Sequence, residues 1–452
     1  MRSIALDAHR DFCEVAICKQ GRVRLAGRVA TTPEALRLFG ESLQPTDQVV
    51  VEATGNAVGI ARILEPYVDR VVLADAKAVR AAAKGRAKTD KIDARLLARL
   101  LAAGFLGEVW TPDEQTRARR RLVSRRAQLV RQRTREKNQV HAVLMRRLVG
   151  KPPMSDAFGV RGRAWLARLE LPSDERLTVD GCLRHIDMLN EEIGLVEQAI
   201  AAEALASPEM RRLLTVPGVN AVTACALIGA IGDIRRFPTP AHLVGYLGLD
   251  PRVIQSGNEP ARHGRISKQG PGEARHVLVE AAWYLARTIG PMRAFHQRIR
   301  ARRGANVATV AVARKLAVIC WHMLTHEQDY AFARPSLTRE KLRRLELLTG
   351  AERHQGRRHP ERVFAPRKQH ELERELAAQA ETAYKRLTDD WTARQPRATR
   401  SAGAATGRAS SSQPEGDKPA RQDRAPSSCP SAGGHPRSPQ ESHPAEVTSS
   451  GT

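Results

Sequence analysis

A carboxylate stands in each of two short, otherwise apolar runs near the N-terminus, Ile4-Ala5-Leu6-Asp7-Ala8 and Val49-Val50-Val51-Glu52. Runs of this length and composition read as buried β-strands. A charge at such a place costs desolvation unless something offsets it, and a divalent cation does that well. Two further acids, Asp90 and Asp93, lie in Lys88-Thr89-Asp90-Lys91-Ile92-Asp93-Ala94-Arg95. At the start of a helix an i,i+3 spacing puts both on one face. Two strand carboxylates with such a helical pair suit a two-metal site for phosphoryl transfer, holding Mg2+ or Mn2+. Taken singly, Asp7 also reads as the opening of a β-turn before His9-Arg10-Asp11, and Asp90 as a charge favoured by the helix macrodipole.

The surrounding order narrows the fold. Residues 2–8, 12–19 and 22–29 read as strands, the last two joined by a Gln20-Gly21 hairpin turn. A helix over Pro33–Leu43 comes next, then a strand ending at Glu52, a helix over 56–65 and a strand over 70–74, with helices over 76–83 and 89–103 following. Three consecutive strands and then alternating helix and strand describe a mixed α/β sheet. This order resembles the ribonuclease-H-like fold of RuvC resolvases, where an acidic cluster occupies equivalent places.

With 452 residues the chain has room for two or three domains with full cores. Its 74 Lys and Arg against 49 Asp and Glu leave a formal charge of +25, which calls for a polyanionic partner, most simply nucleic acid. Residues 113–148 have almost no Gly or Pro and predict one long helix, in which ten Lys and Arg lie between Arg117 and Lys137 with a single acid, Glu136. A one-sided run repels itself unless phosphates neutralise it, so Arg125, Arg126, Arg131 and Arg133 are candidate nucleic-acid contacts. A second helix over 174–206 carries Leu183, Ile186, Leu189, Ile193, Val196 and Ile200. Their 3–4 spacing marks a coiled-coil seam, against the first long helix or a second subunit.

A C-terminal, mostly α-helical domain begins near Met210. Leu214-Thr215-Val216-Pro217-Gly218-Val219, followed by the apolar helix Ala221–Ile231, reads as a helix-hairpin-helix element in which Gly218 lets backbone N–H groups approach a phosphate. An ordinary helix–helix turn is the other reading. Beyond Leu243–Leu249 a polar stretch holds Ser256-Gly257, His263, Arg265 and Ser267-Lys268, and helices over 272–289 and 306–325 close the domain. A serine before glycine in a polar loop is accessible, and the basic neighbours suit a phosphorane charge; on the residues alone, Ser256 and Ser267 both read as loop hydroxyls. Charged helical stretches over 336–348 and 368–388 flank a basic loop with His354 and Arg357-Arg358-His359. After Arg394 the chain is rich in Ser, Ala, Gly and Pro and is expected to be a disordered tail. The expected domains are therefore 1–110 (catalytic), 111–207 (long basic helices, linker and dimerisation), 208–332 (serine loop), 333–393 (charged extension) and 394–452 (tail). The six cysteines lack CxxC spacing and read as buried free thiols. The N-terminus enters a strand at once, and no stretch of ~18 uncharged apolar residues occurs, so no membrane span and a cytoplasmic, nucleoid-associated protein are expected.

Together these motifs resemble those of a known family. Leu6-Asp7-Ala8, Val51-Glu52-Ala53-Thr54-Gly55 and Lys88-Thr89-Asp90-Lys91-Ile92-Asp93-Ala94 are similar to the DEDD motif of the IS110 group of insertion-sequence transposases, which includes the Piv invertases. The Val-Pro-Gly-Val turn, Gly245-Tyr246-Leu247-Gly248-Leu249, Ser256-Gly257 and Gly264-Arg265-Ile266-Ser267-Lys268-Gln269-Gly270 extend the likeness over about residues 1–330. The resemblance implies that Asp7, Glu52, Asp90 and Asp93 bind Mg2+ in a RuvC-like domain. It implies that Ser256, with Ser267 as rival, links covalently to DNA. It also implies that a structured non-coding guide RNA pairs with donor and target DNA, and that active sites are shared within a homodimer or tetramer. A DNA transposase or site-specific recombinase is the reading that follows. A RuvC-like Holliday-junction nuclease would need the acids but no serine, and a non-catalytic nucleic-acid-binding protein would need neither. An actin-like ATPase also opens on an aspartate, but a second phosphate loop is missing and the charge is wrong for it.

Overall fold

The computed structural model describes residues 1–76, 79–80, 89–352 and 367–394. Its first element is β1 (Ser3–Ala8), which pairs antiparallel with β2 (Phe12–Lys19), and β2 in turn with β3 (Arg22–Ala30). Next come α1 (Pro33–Glu41), β4 (Gln48–Glu52), α2 (Ala57–Leu64) and β5 (Arg70–Ala74). Thr32 starts α1 by accepting the Ala35 N–H at 3.3 Å, with Pro33 in the first turn, where its missing N–H costs nothing. The sheet order is β3-β2-β1-β4-β5, with β4 parallel to both neighbours. This is the ribonuclease-H-like arrangement.

Side-chain alternation divides the strands between two faces. Ile4, Leu6, Val15, Ile17, Val49 and Val51 pack with Leu36 of α1 and Ile60 and Leu64 of α2. Ala5, Ala16, Cys18, Val50 and Val72 pack on the other face with Ala94, Leu97 and Ala98 of α3 (Asp90–Ala102). The small residues of this second face let α3 lie close to the sheet. Much of the helix expected over 76–83 lies outside the described residues.

Beyond the sheet, α4 (Glu114–Arg146), α5 (Val160–Arg168) and α6 (Ser173–Ala206) follow. The two long helices run antiparallel: Leu129 packs with Leu189 and Ile193, while Val140, Val143 and Leu144 meet Val179, Cys182 and Leu166. The apolar seam of α6 is thus covered by α4 of the same chain.

The C-terminal elements are α7 (Pro208–Leu214), α8 (Ala221–Ile231), α9 (Pro240–Tyr246), the hairpin β6 (Pro251–Ile254) and β7 (Arg262–Ile266), α10 (Gly272–Arg287), α11 (Pro291–Arg303), α12 (Ala305–Thr325), α13 (Pro335–Leu348) and α14 (Arg367–Arg394). Their core takes in Val123 of α4, Ile200 and Ala201 of α6 and Leu345 of α13. The boundaries expected at 208 and 333 therefore do not separate cores: residues 1–392 form one compact unit. α12 is long and apolar enough to cross a membrane by length and composition, but Val312, Leu316 and Cys320 bury its inner face in this core. Cys13, Cys18, Cys182, Cys225 and Cys320 are buried free thiols, while Cys429, the basic loop with His354 and Arg357-Arg358-His359 and the expected tail lie outside the described residues.

Trp110 and Glu114 clasp the two halves together. The Trp110 ring lies over Gly232, where a Cβ would collide with it, and the Arg236 guanidinium sits 3.6 Å from its centroid. Arg62 of α2 reaches Glu114 at 2.8 Å.

Candidate functional site

Strand alternation decides where the first two acids point. Asp7 lies two residues past Ala5 and Glu52 two past Val50, so both emerge on the face covered by α3. Thr89 caps α3 by accepting the Ile92 N–H at 3.3 Å, which puts Asp90 and Asp93 in the first turn. Asp7 is almost wholly buried, whereas the other three are part-exposed. Burial, together with repulsion from Glu52, Asp93 and Asp90, pushes the Asp7 carboxyl up to about 6, against a smaller downward pull from His9. Among the described residues, no Lys or Arg forms an ion pair with any of the four.

Two neighbours were not singled out from the sequence. His9 Nε2 stands 3.4 Å from Asp7 Oδ2 and 3.3 Å from Asp90 Oδ2, and the ligand atoms of the three residues lie within 4.8 Å of one another. Glu14, directly across the ladder from Asp7, is a fifth carboxylate on this face. It is nine-tenths or more buried but neutralised, because Arg28 Nε donates to it at 2.8 Å. A register shift in β3, with Gly27 at φ +96°, brings Arg28 opposite Glu14. In the sequence His9 reads only as part of a turn, and Glu14 carries no signal there without the pairing register.

The buried Nε2 of His9 finds no hydrogen-bond partner among the described residues. An orphaned ring nitrogen beside clustered, unneutralised carboxylates fits a bound divalent cation. Asp7, Glu52, Asp90 and Asp93 are the residues that would hold it.

Ser256 lies in the tip of the β6–β7 hairpin, where the Glu259 N–H donates to its carbonyl at 3.3 Å. Its side chain is exposed, and no hydrogen bond among the described residues joins it to the four acids. Ser267 is differently placed: its hydroxyl donates to Asp250 Oδ1 at 2.7 Å and its N–H to Asp250 O at 2.9 Å. The glycine-rich motifs on either side interlock below the hairpin. Gly248 lies at φ +66°, where a Cβ would strike Gln269 O, and Gly270 lies at φ +73°, against Tyr246 O. Arg275 ties the crossing by donating to Leu247 O and Gln269 O at 2.9 Å. Arg265 and Lys268 are exposed, and neither has an ion-pair partner among the described residues.

The long basic helix is partly compensated within the chain. The only acid in its run from Arg117 to Lys137 is Glu136, but glutamates of other elements pair with four of the ten cations there. Arg119 pairs with Glu203 at 3.0 Å, Arg125 with Glu192 at 3.4 Å, Arg126 with Glu197 at 2.6 Å and Arg131 with Glu273 at 3.0 Å, while Arg133 donates to Asn190 Oδ1 at 2.7 Å. Counting acids within one helix missed the partners on α6. Gly218 has a packing reason too: at φ +88°, a Cβ there would come 2.9 Å from Tyr284 Cδ1 and 3.1 Å from Ala281 O. Behind this turn, Lys341 of α13 donates to Leu214 O and Val216 O, both at 2.7 Å, and burial pulls its ammonium down to about 8.

Comparison with known proteins adds independent findings. The IS110 DEDD model, described as "Transposase", matches residues 4–147, and the model "Transposase IS116/IS110/IS902 family" matches residues 210–297. The "Probable family 20 transposase" of Pseudomonas aeruginosa is 30% identical over 313 residues, covering 65% of this chain and 88% of that one. The "Transposase for insertion sequence element IS1111A" of Coxiella burnetii is 35% identical over 155 residues, 33% of this chain and 42% of its own length. The "Pilin gene-inverting protein" of Moraxella bovis is 25% identical over 297 residues, 63% of this chain and 82% of its own.

Proposed function

Because the chain belongs to the IS110 family of DEDD transposases, we propose that it cleaves and rejoins DNA with a divalent cation held by Asp7, Glu52, Asp90 and Asp93 and with Ser256 as nucleophile. DNA cleavage and recombination come with the family; the cation and the serine are our reading. The observation that carries it is the convergence of four acids on one sheet face, with no Lys or Arg ion-paired to them among the described residues and one carboxyl already pushed up to about 6. Mg2+ or Mn2+ bound there would supply positive charge to a phosphate oxygen. Ser256 Oγ forms a bond to phosphorus as the bond from phosphorus to a deoxyribose oxygen breaks; the serine proton leaves to solvent and the departing oxygen takes one up. The phosphodiester energy is then kept on the protein for rejoining. The exposed Ser256 hydroxyl favours it over Ser267, which is already engaged with Asp250.

Exposed Arg265 and Lys268 on the same hairpin suit the DNA backbone, and the part-exposed Arg125, Arg131 and Arg133, with the turn at Gly218, suit further phosphate contacts. As in the resemblance above, donor and target would be chosen by a structured guide RNA, and Ser256 would meet the acids of a second subunit in a homodimer or tetramer. Among the described residues no hydrogen bond joins Ser256 to the acids of its own chain, which is consistent with that arrangement.

The test is a suicide DNA substrate followed by denaturing gel analysis. A DNA–protein adduct should form with the parent protein and vanish with Ser256→Ala. Loss with Ser267→Ala alone would transfer the role to that residue, and cleavage without any adduct would favour a resolvase that activates water. Running the assay with and without RNA transcribed from the flanking DNA tests the guide.

A further inference from the structure

His9 Nε2 is the one buried side-chain nitrogen or oxygen without a hydrogen-bond partner among the described residues. Its distances of 3.4 Å to Asp7 Oδ2 and 3.3 Å to Asp90 Oδ2 are informative. A charge-assisted N–H···O bond closes to ~2.7–2.9 Å. Two neighbouring ligands of an octahedral cation with ~2.1 Å bonds stand ~3 Å apart. The spacing is therefore long for a direct bond and close to that of ligands sharing a cation.

The backbone that carries the imidazole is also fixed. The His9 N–H donates to Phe12 O at 2.9 Å, and the His9 carbonyl accepts from Asn56 Nδ2 at 2.8 Å and from Thr31 Oγ1 at 3.2 Å. Its ring packs on Phe12, with centroids 5.0 Å apart. Asn56 is itself fixed by Thr54 Oγ1, which donates to its Oδ1 at 2.9 Å, in the loop that leaves Glu52. The segment that follows one acid thus anchors the His9 backbone beside two others.

We propose that His9 is a nitrogen ligand, through Nε2, to a cation shared with Asp7 and Asp90. This rests on the metal-site reading above and deepens it. One cation position is then mixed nitrogen and oxygen. Mg2+ takes oxygen ligands and keeps its waters, whereas imidazole suits transition cations, so this position selects Mn2+ over Mg2+. The competing role is a protonated ring serving as counter-charge to the two carboxylates, with no nitrogen on the cation.

Pulsed electron paramagnetic resonance on the full-length protein loaded with Mn2+ separates the two. A 14N coupling from directly bound imidazole is expected, replaced by the 15N pattern when the protein is grown on 15N-histidine and lost in His9→Gln. The Mn2+ affinity of His9→Gln should fall by roughly tenfold or more, because removing a residue that merely orients a ligand already costs roughly 10–100-fold. Bound Mn2+ without nitrogen coupling in the parent protein, or coupling that persists in His9→Gln, would overturn the assignment and leave the four-acid site standing. No Mn2+ binding at all would remove both. The isotope comparison uses the unaltered protein, so a misfolded variant cannot obscure the answer.

Discussion

Along α4, Arg119, Arg125, Arg126 and Arg131 each meet a glutamate brought in by another element. At the ends of β1 and β4 and the start of α3, four carboxylates are drawn together, and among the described residues His9 is their only ion-pair partner. Both places concentrate like charge, the first along the sequence and the second in space. The fold pairs four arginines of the first with glutamates and, among the described residues, gives the second no Lys or Arg partner, which is the electrostatic condition for capturing a cation. Glu14 sharpens the contrast: it faces the same side of the sheet as Asp7 but carries its own arginine, so it has no charge left to offer.

The contrast is most open to attack at the acids. Asp7→Asn and Asp93→Ala should each reduce strand cleavage by roughly 10^3-fold or more, since a lost metal ligand removes several kcal/mol of transition-state stabilisation. Arg126→Gln should leave cleavage within a few-fold. Comparable losses from both kinds of substitution would erase the distinction.

Stability should move the opposite way. The folded Asp7 carboxyl titrates at about 6, above its ordinary 3.8. Between those values the folded chain holds a proton that the unfolded chain releases, so stability falls as pH rises through this window, and the full penalty applies above it. In EDTA at pH 7.5, Asp7→Asn should therefore stabilise the protein against urea, by about 1–3 kcal/mol, with little gain at pH 4. A destabilised Asp7→Asn at pH 7.5 would mean that the site is not strained. Mn2+ should raise the melting temperature of the parent protein and not of Asp7→Asn.

Salt dependence compares the two basic regions directly. Removing Arg265 and Lys268 together by Gln substitution should lower the log–log slope of DNA affinity against salt by up to ~1.8, or ~0.9 for each duplex phosphate contact. Replacing Arg125, Arg126, Arg131 and Arg133 by Gln should lower it less for each arginine removed, because part of their charge already serves glutamates. An equal or larger drop per residue would show that the α4 pairs open when DNA binds.

The smallest effect is expected from an exposed rung of the ladder. Arg125→Gln, opposite Glu192 with both side chains about half exposed, should cost ~0.2–1 kcal/mol by urea unfolding. The buried Arg119→Gln should cost more, because it strands Glu203.

Several features were legible in the residues alone because they arise from local periodicity. Asp7 and Glu52 sit in strands, Asp90 and Asp93 share a helical turn and α4 and α6 run long, all because side-chain period and capping chemistry are written within a few neighbours. Pairing information is of another kind. The partner of Arg126 lies 71 residues away, and that of Arg28 depends on a shifted register. Ser267 and the glycines at 248 and 270 read as functional punctuation, yet they hold the base of a hairpin. By itself the sequence determined which charges exist and which face of their own element they occupy. Only the tertiary structure decided which of them are cancelled, because cancellation requires two distant segments to come within a few ångströms, and that distance is set by packing rather than by spacing along the chain.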